Sequence, residues 1–217
     1  MARNILLFAL LTAVVALLPG CGKLGVLFTP DPRPLIPAQY ELPRDCKKIA
    51  VVIDDFRIET GQENLRERTA EQIELSMKAN GAAARGAEFI PYSTIRTIES
   101  VSPEGKKHSI KHIGEALGAD TVIYIDITQF DLAADTESPL VMPEAQARVK
   151  VLNIKTGERL WPIDFAGQPV YARERRQTEQ LENSNRQEWS EKLAELLGTR
   201  IAELFYSHRE EQEGIAH

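Results

Sequence analysis

Thr121-Val122-Ile123-Tyr124-Ile125-Asp126-Ile127-Thr128-Gln129-Phe130 is the stretch on which the fold turns. Its isoleucines fall on every second residue, and a strand sends alternate side chains to opposite faces, so the run predicts a long strand with one apolar and one mixed face. One face of the sheet should therefore carry helices. Just upstream, residues 109–117 place Ile110, Ile113 and Leu117 on one helical face, and Gly118 ends that helix.

Further upstream, Lys48-Ile49-Ala50-Val51-Val52-Ile53 is a short β-branched run, which predicts a strand buried on both faces and closing on Asp54-Asp55. Over residues 62–80, Leu65, Thr69, Ile73 and Met77 recur every four positions between charged ones, a helix with one buried stripe, and Asn80-Gly81 suits a left-handed cap. A second strand is predicted over 87–90 and a short helix over 94–99, after the turn Pro91-Tyr92-Ser93.

Downstream, residues 145–154 and 158–165 predict two strands joined at Lys155-Thr156-Gly157, with the glycine at positive φ. Trp189, Leu193, Leu196, Leu197, Ile201, Leu204 and Phe205 then define a long amphipathic helix, with Asn185 and Glu188 placed to cap its start. This order predicts an α/β fold: a mixed sheet of about five strands covered by helices, with a long C-terminal amphipathic helix.

Ahead of the domain, Arg3 precedes the apolar residues 5–18, a positive end and then a hydrophobic stretch, as in a secretory signal. Pro19-Gly20 follow at once, so the segment is too short and wrongly ended for a membrane span. Leu18-Pro19-Gly20-Cys21 resembles the lipobox of bacterial lipoproteins, with an aliphatic residue three positions before the cysteine and a small one directly before it. The alternative is an ordinary cleaved signal with a chance cysteine. The resemblance implies cleavage before Cys21 and lipid on Cys21. Gly22 stands where Asp would favour the inner membrane, which implies an outer-membrane anchor facing the periplasm. Each buried methylene contributes about 0.8 kcal/mol, so two or three acyl chains hold a protein on a bilayer.

The expected organisation is residues 1–20 as signal peptide, 21–44 as a lipidated proline-rich tether, 45–208 as one α/β domain and 209–217 as a polar tail. Pro30, Pro32, Pro34, Pro37 and Pro43 predict that the tether is extended and enters neither sheet nor helix. The sequence has 26 basic and 32 acidic side chains, and loss of the signal removes only Arg3, which leaves 25 against 32 and a net charge of −7. A chain this acidic lacks the electrostatic footprint of a nucleic-acid binder. With Cys21 lipidated, Cys46 is the one remaining thiol, read as a buried side chain; the alternative is an intermolecular bridge or a redox role, favoured by the neighbouring Lys47 and Lys48.

Lys48-Ile49-Ala50-Val51-Val52 followed by a helix, Leu117-Gly118-Ala119-Asp120-Thr121-Val122-Ile123-Tyr124, and the hairpin from Val151 to Trp161 together resemble a broad group of envelope domains. The group includes the curli-secretion channel lipoprotein, the penicillin-binding-protein activator lipoproteins and the amino-terminal domain of the Tol-system propeller protein. Asp126 departs from its pattern, which commonly has glycine or serine there. The resemblance covers residues 47–161 and the last helix. It implies binding to proteins, to peptidoglycan machinery or to copies of itself, and not one function.

The search for chemistry yields no catalytic residue, no metal site and no cofactor. His108, His112 and Glu115 share a helix, but taking Ile110, Ile113 and Leu117 as the buried stripe puts the histidines on the solvated side. Asp54, Asp55 and Asp126 are candidate acid/base groups, yet nothing in the sequence brings Asp126 to Asp54, and capping or solvent-facing roles account for them equally. Phosphate loops, zinc helices and nucleophile elbows are missing. Tyr171, Arg173, Arg175 and Arg176 form a basic, partly aromatic patch, read either as a partner-binding surface or as a solvated loop. The proline-flanked residues 135–143 are a contact loop or a long hairpin end.

These observations predict a non-enzymatic, membrane-anchored periplasmic module that binds or assembles with another envelope protein, with a homo-oligomer as one form. The alternative is a subunit of a secretion or transport channel. That role needs spanning strands of about nine to eleven alternating residues, and the segments near that length are all required by the sheet. An envelope hydrolase comes last.

Overall fold

The computed structural model describes residues 33–55, 58, 64–83, 86–100, 109–132, 140–141, 143–173, 176–177 and 186–209. In chain order these form β1 (Leu35–Ile36), β2 (Lys48–Asp54), α1 (Leu65–Ala79), β3 (Glu88–Phe89), α2 (Tyr92–Ser100), α3 (Ile110–Leu117), β4 (Thr121–Asp131) and β5 (Leu140–Val141). They continue with β6 (Glu144–Asn153), β7 (Arg159–Trp161), β8 (Gln168–Arg173), β9 (Arg176–Gln177), α4 (Arg186–Ala202), a 3-10 turn (Glu203–Phe205) and β10 (His208–Arg209). Ile36–His208 is one compact unit; the chain ends, Met1–Leu35 and Arg209–His217, group separately.

The fold is mixed α/β around a six-stranded sheet. β2 runs parallel to both β3 and β4, and parallel neighbours require crossovers. α1 makes the crossover from β2 to β3; α2 and α3 make the one from β3 back past β2 to β4. The two run in opposite directions along the sheet, and right-handed connections then place their helices on opposite faces. Burial follows that rule. Leu65, Ile73 and Met77 of α1 join Ile49, Val51 and Ile53 in the main core. Ile95 of α2 and Ile113 of α3 close a smaller core with Ala50, Val52 and Val122 on the other side.

From β4 the sheet continues antiparallel to β6, and β6 pairs on its far side with both β7 and β8. α4 completes the main core with Leu193, Leu197 and Ile201, each fully buried. Full burial of an aliphatic side chain is worth about 1.5–3 kcal/mol, so these residues and Ile123, Ile125 and Ile127 of β4 each add substantially to the packing. Helices α1 and α4 approach closely because position 198 is glycine: a Cβ there would lie 2.8 Å from both Gln72 Cβ and the Thr69 carbonyl oxygen.

β4 holds one irregularity. Its register against β6 shifts between Ile127 and Gln129, and the inserted Thr128 hydroxyl donates to the Gln146 carbonyl at 3.3 Å. The bulge reverses the alternation. Ile123, Ile125 and Ile127 point into the main core before it, and Phe130, three positions on, packs against the same core after it.

Several sequence expectations change here. Of residues 158–165 only Arg159–Trp161 form a strand, which stops there because Pro162 has no amide to donate. The outer edge resumes as β8, so Tyr171 and Arg173 are strand residues rather than loop residues. The tether expectation is corrected at Leu35–Ile36, which pair with β10; the strand is short enough that Pro34 and Pro37 fall outside it. The compact unit also takes in residues 36–44, which the sequence reading places in the tether. The Gln39 and Tyr40 amides both donate to the Leu204 carbonyl, at 2.8 and 3.0 Å, Leu42 is buried, and Tyr40 stacks on Trp161 at 5.6 Å. The expected stripe of α1, the positive φ of Gly81 and Gly157, and the left-handed Gly118 after α3 are all present. Ser109 caps α3 by accepting the His112 amide. Asn185 lies outside the described residues.

Candidate binding face

One face of the sheet is apolar throughout. On β6, Ala145, Ala147, Val149 and Val151 enter the main core, and on β8 so do Val170 and Ala172. Their alternates, Gln146, Arg148 and Lys150 on β6 and Pro169, Tyr171 and Arg173 on β8, therefore point the other way. Among the described residues, α2 and α3 cover that second face only around Ala50, Val52, Val122 and Ile154. The rest is polar, half-buried on β2, β4 and β6 and exposed on β8, where Tyr171 is 62 % exposed.

Register arranges the charges. Asp54 of β2 is the partner of Asp126 of β4, and Asp126 is the partner of Arg148 of β6. Two carboxylates and a guanidinium thus stand side by side in one row. The Tyr124 hydroxyl donates to Asp54 Oδ2 at 2.9 Å, which fixes that carboxylate on the open side. Asp55 turns away and is held by the Arg66 guanidinium. In the outermost row Glu144 is opposite both Asp131 and Arg173. The Gln146 amide at 2.7 Å and the Arg173 guanidinium at 2.6 Å hold the Glu144 carboxyl below its usual range.

The residues of the sequence-predicted patch separate. Tyr171 and Arg173 stand together on β8, but Arg173 is neutralised by Glu144. Arg176 belongs to β9, where it pairs with Val141 at the base of the 135–143 segment. Arg175, Cys21, His108 and His217 lie outside the described residues, as do 133–139 and 142. His112 and Glu115 are exposed on α3. His208 sits 3.9 Å from Glu203, which Arg200 also engages. Cys46 is buried, and that burial pushes its thiol up; the backbone amides of Lys47 and Lys48 bind Asp120, whose carboxyl they and Lys155 hold low. No described helix is long and apolar enough to cross a membrane.

Sequence reasoning missed the Asp54–Asp126 juxtaposition. The signal lay in the two runs themselves: residues 49–54 and 121–126 pair one to one, and both end in Ile-Asp.

No protein-family model matches the chain, and no curated protein matches its sequence. Among solved structures it is similar to the PelC dodecamer from Paraburkholderia phytofirmans, at 11 % identity and TM-score 0.43, over 80 % of this chain and 96 % of that one. Lipoprotein GNA1162 from Neisseria meningitidis is similar at 17 % identity and TM-score 0.38, over 59 % and 83 %. The LpoB C-terminal domain from Salmonella enterica is similar at 15 % identity and TM-score 0.30, over 60 % and 82 %. At these values the function has to be read from this chain's own residues.

Proposed function

We propose that this chain is a bacterial envelope lipoprotein, anchored through lipid on Cys21 in the outer membrane and facing the periplasm, whose domain binds another envelope protein. The observation that carries the binding role is the polar face of the sheet, exposed along β8. It presents strand-borne side chains, Tyr171 foremost, on a sheet whose opposite side is packed core. Strands hold such groups in fixed positions, which lowers the ordering cost of binding. The signal-like residues 5–18 and the Leu18–Cys21 match support the anchor. The channel reading is weaker because β4 and β6, the strands near spanning length, lie inside the sheet.

One observation favours a second reading. Adjacent carboxylates such as Asp54 and Asp126 suit acid/base chemistry, which would make the chain a hydrolase. The binding reading ranks first because each carboxylate has a neighbour that occupies it, the Tyr124 hydroxyl for Asp54 and the register partner Arg148 for Asp126.

The test is photo-crosslinking in intact cells from a benzophenone amino acid at Tyr171, with and without Cys21→Ser. Adducts to another envelope protein, diminished when Cys21→Ser releases the chain from membranes, are expected. Absence of any adduct, or retention of the Cys21→Ser protein in washed membranes, overturns the reading. Loss of function in Asp126→Asn with adducts unchanged would favour the hydrolase.

A further inference from the structure

The residues between β7 and β8 put large apolar side chains into solvent: Ile163 is 102 % exposed and Phe165 80 %. The turn that carries them is held by three hydrogen bonds to Asp164. The Asp164 carbonyl accepts from Arg159 Nη1 at 2.8 Å and from the Gly167 amide at 3.2 Å, and Asp164 Oδ1 accepts the Ala166 amide at 2.9 Å. Phe165 is flanked by cations, with Lys150 Nζ 5.4 Å and the Arg159 guanidinium carbon 4.9 Å from its ring centroid. An isoleucine and a cation-flanked aromatic ring thus stand outward on one hydrogen-bonded tip.

We propose that this tip is a docking knob for an acidic, apolar-bearing segment of a partner protein. The proposal rests on the reading of the chain as a binding module and adds the place and the partner's chemistry. Aromatic and arginine side chains are the groups that dominate binding energy at protein interfaces, and a preformed turn avoids the ordering cost. Lys150 and Arg159 beside the ring complement carboxylates on the partner.

Two other occupants fit less well. A bilayer would have to take up the exposed Asp164 between the two apolar residues, and burying a carboxylate in an apolar medium is costly. A second copy meeting this tip through a two-fold axis would set Lys150 and Arg159 against their own equivalents, a like-charge contact. An acidic protein segment needs no two-fold axis, and it can seat its carboxylates on Lys150 and Arg159 while Asp164, bonded to the Ala166 amide, stays hydrated at the rim.

The test uses the full chain in intact cells, with a benzophenone amino acid replacing Ile163. The expected result is an adduct whose crosslinked partner peptide, identified by mass spectrometry, is rich in Asp and Glu and carries apolar residues. In the Arg159→Glu variant its yield should fall about tenfold, as close interfacial charge pairs imply, while adducts from Tyr171 persist. Should that variant fail to fold, Ile163→Asp at its fully exposed position replaces it, and it must abolish co-purification of the partner so identified. An adduct of twice the chain's own mass, a lipid adduct, a basic or neutral crosslinked segment, or no adduct from position 163 overturns the proposal. Adducts from Tyr171 without any from position 163 sink this proposal alone; silence at both positions sinks the module reading too.

Discussion

Asp54 and Asp126 are register partners on neighbouring parallel strands, so two carboxylates far apart in the chain share one polar, half-buried sheet face. Their neighbourhood is held by Tyr124, whose hydroxyl donates to Asp54. Tyr124→Phe should therefore cost about 1 kcal/mol, the usual net worth of such a bond. Urea denaturation of Tyr124→Phe, Asp54→Asn and the double variant checks it. The two single effects must fail to add; simple additivity would show that the bond contributes nothing.

Gly198→Ala tests the α1–α4 contact. Alanine favours a helix by up to about 1 kcal/mol over glycine, but here its methyl meets Gln72 and the Thr69 carbonyl at 2.8 Å. Overpacking of this kind costs about 1–3 kcal/mol, so the variant should be the less stable protein. A raised melting temperature would contradict the packing.

Asp120 is the pH-sensitive latch between the start of β2 and the hairpin. The Lys47 amide first, then Lys155, hold its carboxyl below the ordinary value. A carboxyl with a depressed folded value contributes stability that is complete above the unfolded value, near 3.9, and is lost as pH falls through the folded one. Asp120→Asn should lower stability at pH 7 and flatten its decline on acidification. Equal slopes for the two proteins in acid titrations followed by circular dichroism would refute the latch.

Gly157 has φ +74°, and a Cβ there would also meet Lys111 Cδ at 3.3 Å. Gly157→Val should destabilise the protein by about 1 kcal/mol or more, since β-branched residues resist positive φ. Thermal melts decide it; an unchanged midpoint would mean that the hairpin tolerates the strain.

Burial pushes the Cys46 thiol up, so the native protein should react slowly with iodoacetamide at pH 8. Measured on Cys21→Ser protein, the rate should rise with urea in step with global unfolding. Rapid labelling without denaturant would return Cys46 to the list of reactive candidates.

Elements whose signal is local are legible in the residues alone. The four-residue stripe of α1, the alternating isoleucines of β4, the glycines after α1, α3 and the hairpin, and the apolar run of α4 each appear where periodicity and turn chemistry place them. Which strands are neighbours emerges only in the folded chain. Folding set Asp54 beside Asp126, resumed the outer edge as β8 with Tyr171 and Arg173 on the open face, drew residues 36–44 onto Leu204 and Trp161, and left Ile163 and Phe165 uncovered. The physical reason is that periodicity is a property of one segment, whereas register, a bulge such as the one at Thr128 and the burial of a given face depend on partners distant in the chain.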